Sequence, residues 1–272
     1  MIKYFLQSSL VASLLFTTAC AQGKKSFEVV KEQSGIEELK LSRVDIKSLK
    51  KDNSGAYILF DGSSLNGWRG YNKEYVPNKW NIDNGTLKFS KNPNVDKPEG
   101  GDIVFVYDFK NFELTFDWKI SEAGNSGVFF LAKEIKGQPI YISSPEFQIL
   151  DNEKHPDAKM GVDGNRKSAS LYDMIPAKPQ NAKPAGEWNT SKIVVKGNTI
   201  QHFQNGVKVV EYTVRTKEWT ELLQASKFSK EKWPMAFELL NNVGGVTKSG
   251  LIGFQDHGDD VWYRDMKVKV LK

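Results

Sequence analysis

Two apolar segments of the chain end in side chains that could perform acid–base chemistry. In the first, Glu146 and Gln148 are two residues apart, and Asp151 follows them. Residues two apart on a strand share a face, so this carboxylate and this amide would point the same way. In the second, Asp256 and His257 are adjacent. A carboxylate can tune an imidazole as a base or acid near neutral pH, although adjacent strand residues point apart and need not touch.

Further polar residues lie in predicted turns, long loops or strand ends. They are Asn125, His155, Tyr172, Gln255 and Arg264. Arg264 alternates in phase with Trp262 and Met266, and if that face is the core the guanidinium needs a carboxylate or a ligand. No cofactor is predicted. The Asp and His residues could hold a divalent metal ion, but their spacing matches no known metal-binding motif. The same polar residues would also be expected at a solvent-facing sheet edge, or in turns whose side chains bind their own backbone, with no catalytic role.

The strand that organises the predicted sheet spans residues 112–120. Its apolar and polar residues alternate strictly, which indicates a strand with one buried face. A polar turn over residues 122–126 separates it from a second apolar run over residues 128–131. This pattern predicts an antiparallel pair with Asn125 and Gly127 at its rim.

The rest of the sequence predicts an all-β sandwich. About a dozen short strands are separated by long loops and Asn-Gly turns, and one short helix is predicted over residues 220–226. The 16 Phe, 9 Tyr and 7 Trp residues suit a sheet-rich core and stacking against sugars. The net charge of +5 is scattered along the chain, so nucleic acid is not a predicted partner.

The N-terminus has the pattern of a lipoprotein signal peptide over residues 1–19. Lys3 precedes an apolar stretch over residues 10–16, and small residues precede Cys20, the only cysteine and the predicted site of lipidation. Residues 20–54 are predicted to form a flexible tether with a short helix over residues 35–41. The absence of an aspartate after the cysteine resembles outer-membrane lipoproteins of Bacteroidota-like bacteria. We therefore expect a periplasmic protein held at the outer membrane only by its lipid.

An ordered set of short motifs between about residues 57 and 271 resembles the 3-keto-disaccharide hydrolase family. The motifs are Leu59-Phe60-Asp61-Gly62, Leu65-Asn66-Gly67-Trp68, Asn125-Ser126-Gly127, Glu146-Phe147-Gln148-Ile149-Leu150-Asp151, Leu171-Tyr172-Asp173, Gly186-Glu187-Trp188-Asn189, Asn205-Gly206, Ile252-Gly253-Phe254-Gln255-Asp256-His257-Gly258 and Tyr263-Arg264. The resemblance departs at Phe254, where the family often has leucine, and in the lysine-rich N-terminal segment. It implies a concanavalin-like jelly-roll domain over residues 55–272.

The resemblance also implies cleavage of glycosides whose C3 hydroxyl has been oxidised to a ketone by a separate oxidoreductase. A C3 ketone acidifies the C2 proton, and its removal lets the enolate expel the group on C1, with or without later hydration. On this hypothesis His257 or Glu146 is the base, and Asp256 is its neighbour or the acid. The remaining candidates would bind the sugar: Asn125, Gln148, Asp151, His155, Tyr172, Gln255 and Arg264. Among them, Asn125, Gln148 and Arg264 would hold hydroxyls or the enolate oxygen, and Tyr172 would donate a proton or stack.

The competing hypotheses are a non-catalytic sugar-binding module and a structural lipoprotein. A binding module needs aromatic platforms and amides, but it has no need of clustered carboxylates and histidines. The two classes therefore differ in whether Glu146, Asp151, Asp256 and His257 converge in one pocket. A structural lipoprotein predicts no pocket.

Overall fold

The structure is a computed structural model that describes residues 36–272 and the backbone of residues 28–31. The predicted signal peptide and the predicted lipidation site, Cys20, lie outside the described residues. In the described part the chain forms fifteen strands and two α-helices: β1 Glu28–Lys31, β2 Glu37–Lys40, β3 Tyr57–Ile58, β4 Trp68–Gly70, β5 Trp80–Asp83, β6 Thr86–Phe89, β7 Ile103–Phe109, β8 Phe112–Ile120, β9 Asn125–Ala132, β10 Glu146–Leu150, β11 Asn189–Lys196, β12 Thr199–Gln204, β13 Val207–Thr213, α1 Lys217–Ala225, α2 Pro234–Asn241, β14 Gly250–Phe254 and β15 Val261–Val270.

Two antiparallel sheets form the sandwich and confirm the all-β jelly-roll prediction. One sheet has the order β10-β9-β14-β7-β4, and the other has the order β13-β12-β11-β8-β15-β6-β5, with β3 added beside β15. Strand β8 has the predicted bounds, and its alternate residues from Phe112 to Ile120 are buried between the sheets. The period of two in the sequence therefore indicated the inner face correctly.

The smaller sheet is buried on both faces. In β10, Phe147 and Ile149 face the core between the sheets. Glu146 and Gln148 lie on the opposite face, where loops cover them. Strand β9 pairs with β10 and with β14, which brings Asn125 close to the end of β14. This topology gathers three separate sequence segments at one edge of the smaller sheet.

The helical region differs from the sequence prediction. The helix expected over residues 220–226 is α1, which begins after Thr216, whose hydroxyl accepts a hydrogen bond from the Trp219 amide at 3.2 Å. Helix α2 was not predicted, although Pro234 suits its first position. None of the described helices is both long and apolar enough to cross a bilayer.

Residues 36–54, which we expected to belong to the tether, pack against the sandwich. Ile36, Leu41 and Ile46 are buried. The short helix predicted over residues 35–41 is wrong, because residues 37–40 form β2, and the Leu39 amide donates to the Glu134 carbonyl at 2.7 Å. Pairing with β1, together with this bond to the domain, overrides the local preference of this segment.

Candidate active site

A small polar pocket lies on the face of the smaller sheet that points away from the core. Its volume is about 180 Å³, below the range of about 300–1,000 Å³ that suits drug-sized ligands, so it fits a small ligand such as one sugar ring. Eight residues line it: Asn125, Tyr141, Glu146, Gln148, Tyr172, Lys227, Gln255 and His257. Six of the eight were candidates from the sequence, whereas Tyr141 and Lys227 were not.

Larger cavities in the described residues lack this convergence of unpaired groups. One cavity of about 520 Å³ lies beside the N-terminal segment. Its charged side chains already have partners, since Arg43 binds Asp108 at 2.8 Å and Lys133 binds Glu38 at 3.4 Å. The smaller pocket is therefore the better candidate site.

Three buried amides in the small pocket have an unsatisfied acceptor. Asn125, Gln148 and Gln255 are 2%, 0% and 8% exposed, and within the described residues the side-chain oxygen of each has no hydrogen-bond partner. Leaving such an oxygen unpaired costs about 1–3 kcal/mol per group. A ligand with several hydroxyl donors would satisfy all three oxygens together.

Glu146 places an unpaired carboxyl group beside these amides. Its side chain makes no hydrogen bond to the described residues, and it fits only because Gly127 on the adjacent strand has no side chain. A Cβ at Gly127 would overlap the Glu146 carboxylate and lie 2.9 Å from its Cδ. Burial raises the pKa of Glu146 to about 8, and the nearby Lys227 opposes that rise. The carboxyl group can therefore exchange a proton near neutral pH.

Lys227 brings a cation into the pocket from the loop after α1. Its Nζ lies 4.3 Å from the ring centroid of Tyr172, 4.9 Å from that of Phe228 and 5.5 Å from that of Tyr141. Burial lowers the pKa of Lys227, and attraction to Glu146 opposes that fall. Sequence analysis missed this residue because a lone lysine after a helix has no distinguishing pattern.

A chain of ion pairs holds the loop that forms one side of the pocket. The Tyr172 hydroxyl donates to Asp157 Oδ2 at 2.8 Å, and Arg166 binds Asp157 at 2.9 Å and Asp173 at 2.6 Å. The other oxygen of Asp173 accepts the backbone amide of Lys227 at 2.8 Å. Burial and the bond to Asp157 raise the pKa of Tyr172. These contacts favour a positioning or stacking role for Tyr172 over the proton donation that we had considered.

His257 lies at the mouth of the pocket beside His155. Its Nε2 is 3.4 Å from Nδ2 of Asn125, and the two imidazole centroids are 6.2 Å apart. Asp259 Oδ2 accepts a hydrogen bond from the backbone amide of Asn125 at 3.2 Å. His155, His257 and Asp259 each have a potential metal-ligand atom, and these atoms lie within 4.8 Å of one another.

This cluster fits a divalent cation only in part. His155 Nδ1 accepts the backbone amide of Asp157 at 3.1 Å, so the proton of the neutral ring is on Nε2. A metal ligand needs a nitrogen lone pair. His155 would therefore have to release the Asp157 amide before its ring could bind a cation with the other two residues.

Two predicted carboxylates lie outside the pocket lining. Asp151 accepts the amides of Ala123 at 2.8 Å and Glu153 at 3.1 Å. Asp256 accepts the amides of Gly101 at 2.7 Å and Gly258 at 2.9 Å. Both carboxylates stabilise loops around the site, so the predicted four-residue cluster reduces to Glu146 and His257.

The structure places Arg264 on the far side of the sandwich. Its Nε lies 3.3 Å from Asp117 Oδ2, and its guanidinium is 4.1 Å from the ring centroid of Trp188. The condition for an inward Arg264, that its face is the core, does not hold, because β15 has an irregularity between residues 264 and 267, where Asp265 has a φ of 51°. This bulge lets Met266 face the core while Arg264 faces outward.

We expect Arg264→Ala to leave the catalytic activity of the protein within about twofold of the unchanged chain, because additivity holds for distant sites. The variant loses only the contacts to Asp117 and Trp188 on the outer face. The measurement is kcat/KM on the substrate proposed below. A loss of more than tenfold with unchanged thermal stability would show that Arg264 acts on the site after all.

Glu146→Gln is expected to stabilise the protein at high pH. The folded-state pKa of Glu146, about 8, exceeds the ordinary value of 4.5, so between these values the folded protein binds more protons than the unfolded chain. The free energy of unfolding therefore falls as pH rises through this window. At the upper end, removing the titration is expected to add at most about 4 kcal/mol, or roughly 10 °C in Tm, because each pKa unit between 4.5 and about 8 corresponds to about 1.4 kcal/mol.

Thermal unfolding of the variant and the unchanged chain at pH 5 and pH 8 checks this expectation. The difference in Tm should be large at pH 8 and close to zero at pH 5. A difference that is the same at both values of pH would contradict the burial cost assigned to Glu146.

Comparison with known proteins places the chain among sugar-active relatives. Residues 55–269 match the sequence model of a family described as the 3-keto-alpha-glucoside-1,2-lyase-like domain. A Bacteroides thetaiotaomicron protein named 3-keto-disaccharide hydrolase is 52% identical over 286 residues, which cover 98% of each chain. A crystal structure of a candidate glycosyl hydrolase from Parabacteroides distasonis has a TM-score of 0.67 and 26% identity, covering 80% of this chain and 95% of its own. These findings confirm the resemblance seen in the sequence.

Proposed function

The chain belongs to the family of 3-keto-alpha-glucoside-1,2-lyase-like domains, and from that premise we propose that it cleaves the glycosidic bond of 3-keto-glycosides. The substrates are 3-keto-glucosides or 3-keto-disaccharides. The reaction begins with removal of the C2 proton and β-elimination of the group on C1. Addition of water to the unsaturated sugar makes the overall result a hydrolysis.

The observation that carries this proposal is the meeting of three unpaired amide oxygens with one unpaired carboxyl group. The amides of Asn125, Gln148 and Gln255 offer acceptors for sugar hydroxyls. Glu146 offers a proton acceptor of raised pKa at the same place. Sugar binding alone could use a further neutral amide as acceptor, without the loss of stability that comes with burying a carboxyl group.

Each step of the elimination can be assigned to a group at the pocket. Glu146 accepts the C2 proton, since a base acts best when its pKa is near the working pH. The electron pair of the C1–O bond leaves with the aglycone oxygen, which takes a proton from His257 at the pocket mouth. The products are an alcohol and a sugar with a double bond between C1 and C2.

The alternative assignment exchanges the two roles, with His257 as the base and Glu146 as the acid. The deeper position of Glu146, beside the buried amides, favours it as the group that faces the ring carbons. In either case water then adds across the double bond, with its oxygen joining C1 and a proton joining C2, which gives the free 3-keto sugar. Elimination and net hydrolysis therefore share their first half.

We also propose where the 3-keto substrate comes from and where the protein is held in the cell. The ketone must be made by a separate sugar 3-oxidoreductase, because the proposed reaction consumes a 3-keto sugar and forms none from an unoxidised one. The lipid at Cys20 would hold the protein at the outer membrane, facing the periplasm. A Cys20→Ser variant is expected to shift from the membrane fraction to the soluble periplasmic fraction.

A divalent cation at His155, His257 and Asp259 remains a proposal beside this one. Such an ion would supply a Lewis acid at the mouth of the pocket. Its binding is measured by metal analysis of the purified protein and by titration of Zn²⁺ or Mn²⁺ into the unchanged chain and into a His155→Ala variant.

The proposed function is tested with a 3-keto-glucoside and its unoxidised parent, each incubated with the purified soluble domain with and without a chelator. Aglycone release from the keto sugar alone is the expected result. Release from both sugars would indicate a conventional glycosidase. Binding of either sugar without release would instead support the sugar-binding module.

A further inference from the structure

The proposed elimination leaves one requirement without a residue. As the C2 proton departs, negative charge develops on the C3 oxygen, and that oxygen needs a hydrogen-bond donor or a cation. The amide NH2 groups and tyrosine hydroxyls that line the pocket are neutral donors, whereas the ammonium of Lys227 carries a full positive charge. A cationic donor suits a developing negative charge best, because charge-assisted hydrogen bonds are the stronger ones.

We propose that the Lys227 ammonium binds the C3 oxygen and stabilises the enolate; this inference rests on the proposed function. Lys227 lines the same pocket as Glu146. Within the described residues its ammonium has no carboxylate within ion-pair distance and no hydrogen-bond acceptor, although aromatic rings surround it. Its three N–H donors are therefore free for a ligand.

The surroundings of Lys227 hold the ammonium in one place. Tyr141, Tyr172 and Phe228 lie within 5.5 Å of its Nζ, and cation–π attraction to their rings keeps the side chain from swinging into solvent. The backbone of Lys227 is fixed by Asp173. A donor that is already in position needs no rearrangement as charge develops on the substrate.

Burial lowers the pKa of Lys227 and Arg166 adds to that fall, whereas the carboxylates of Glu146, Asp173 and Asp157 oppose it. An anionic substrate oxygen beside the ammonium would oppose the fall further. When Glu146 takes the C2 proton, one negative charge leaves the carboxylate and appears on the C3 oxygen. The ammonium thus keeps an anionic partner throughout the step, and the low dielectric of the pocket makes that attraction strong.

The step requires no covalent bond between enzyme and sugar. The C2–H bond breaks and its proton joins Glu146, while the electron pair forms the C2=C3 bond and the C3–O bond becomes single. Lys227 donates a hydrogen bond to that oxygen. A Schiff base would instead replace the C3 oxygen with the lysine nitrogen and release water.

The test compares Lys227→Met with the unchanged chain and with Lys230→Met, which alters an exposed lysine three residues away. Methionine keeps the apolar part of the side chain among the rings but removes the charge. We expect C2 hydrogen–deuterium exchange and aglycone release to slow together by about 100- to 1,000-fold. Lys227→Arg should recover part of the loss, and Lys230→Met should remain within twofold.

The outcomes separate this inference from the proposed function. If the unchanged chain fails to turn over 3-keto-glucosides, the proposed function fails. If it turns them over but Lys227→Met stays within threefold, the role of Lys227 is overturned while the function stands. Loss of aglycone release with unchanged C2 exchange would also overturn it, because Lys227 would then act after enolisation.

Borohydride tests the non-covalent form of the proposal. Adding it during turnover should leave the mass of the protein unchanged. A reduced sugar adduct on Lys227 would show that the lysine attacks the ketone and would overturn the assignment of a hydrogen-bonded enolate.

Discussion

Glu146→Gln is expected to lower kcat/KM for a 3-keto-glucoside by about 1,000-fold, in line with the loss of a general base. Glutamine keeps the shape of the side chain but cannot accept the C2 proton. The buried amides remain, so binding of an unreactive sugar should change little. Steady-state kinetics on the keto sugar and calorimetric titration with the unoxidised parent measure the two effects.

A matched control is Glu153→Gln, which alters an exposed carboxylate at the edge of the site. It should keep kcat/KM within twofold. If Glu146→Gln retains more than a tenth of the activity while His257→Ala loses it, the two roles are exchanged. If neither variant loses activity, the pocket is not the active site.

Gly127→Ala is expected to reduce kcat/KM by about 100-fold without touching the substrate directly. The added methyl group would overlap the Glu146 carboxylate and force the side chain to another rotamer. A displacement of about 1 Å at a reacting group is enough for a loss of this size. Gly127 does not have a positive φ, so alanine introduces no backbone strain and the variant should fold.

Gly253→Ala is the matched control on the neighbouring strand. There the added Cβ would meet Ile140 Cδ1 at 2.7 Å and leave Glu146 in place. This variant should lose stability and retain kcat/KM below its Tm, whereas Gly127→Ala should lose activity. Full activity in Gly127→Ala would mean that the position of the Glu146 carboxylate is not critical.

The alternation of apolar and polar residues made the orientation of some strands predictable. The inner face of Phe112–Ile120 followed from its period of two. The same argument placed Glu146 and Gln148 on one face of their strand. The sequence alone did not show that loops would bury that face, because a face covered by polar loops and a face exposed to solvent both carry polar residues at alternate positions.

Features set by distant contacts were not predictable. Lys227 reaches the pocket through a loop that Asp173 fixes from more than fifty residues away. Arg264 does not face the core, because one bulge at Asp265 reverses the phase of its strand. Residues 37–40 form a strand through pairing with β1 and through a bond to Glu134 in the domain, and local composition reveals neither contact.

The most direct test of the account follows the hydrogen on C2. A 3-keto-glucoside deuterated at C2 is cleaved in ordinary water, and the released sugar is analysed at early times beside a non-enzymatic control. Elimination through Glu146 predicts loss of the C2 deuterium to solvent and a primary isotope effect on kcat/KM. Retention of the deuterium in the released sugar, with no isotope effect, would indicate direct displacement at C1 and contradict the proposed mechanism.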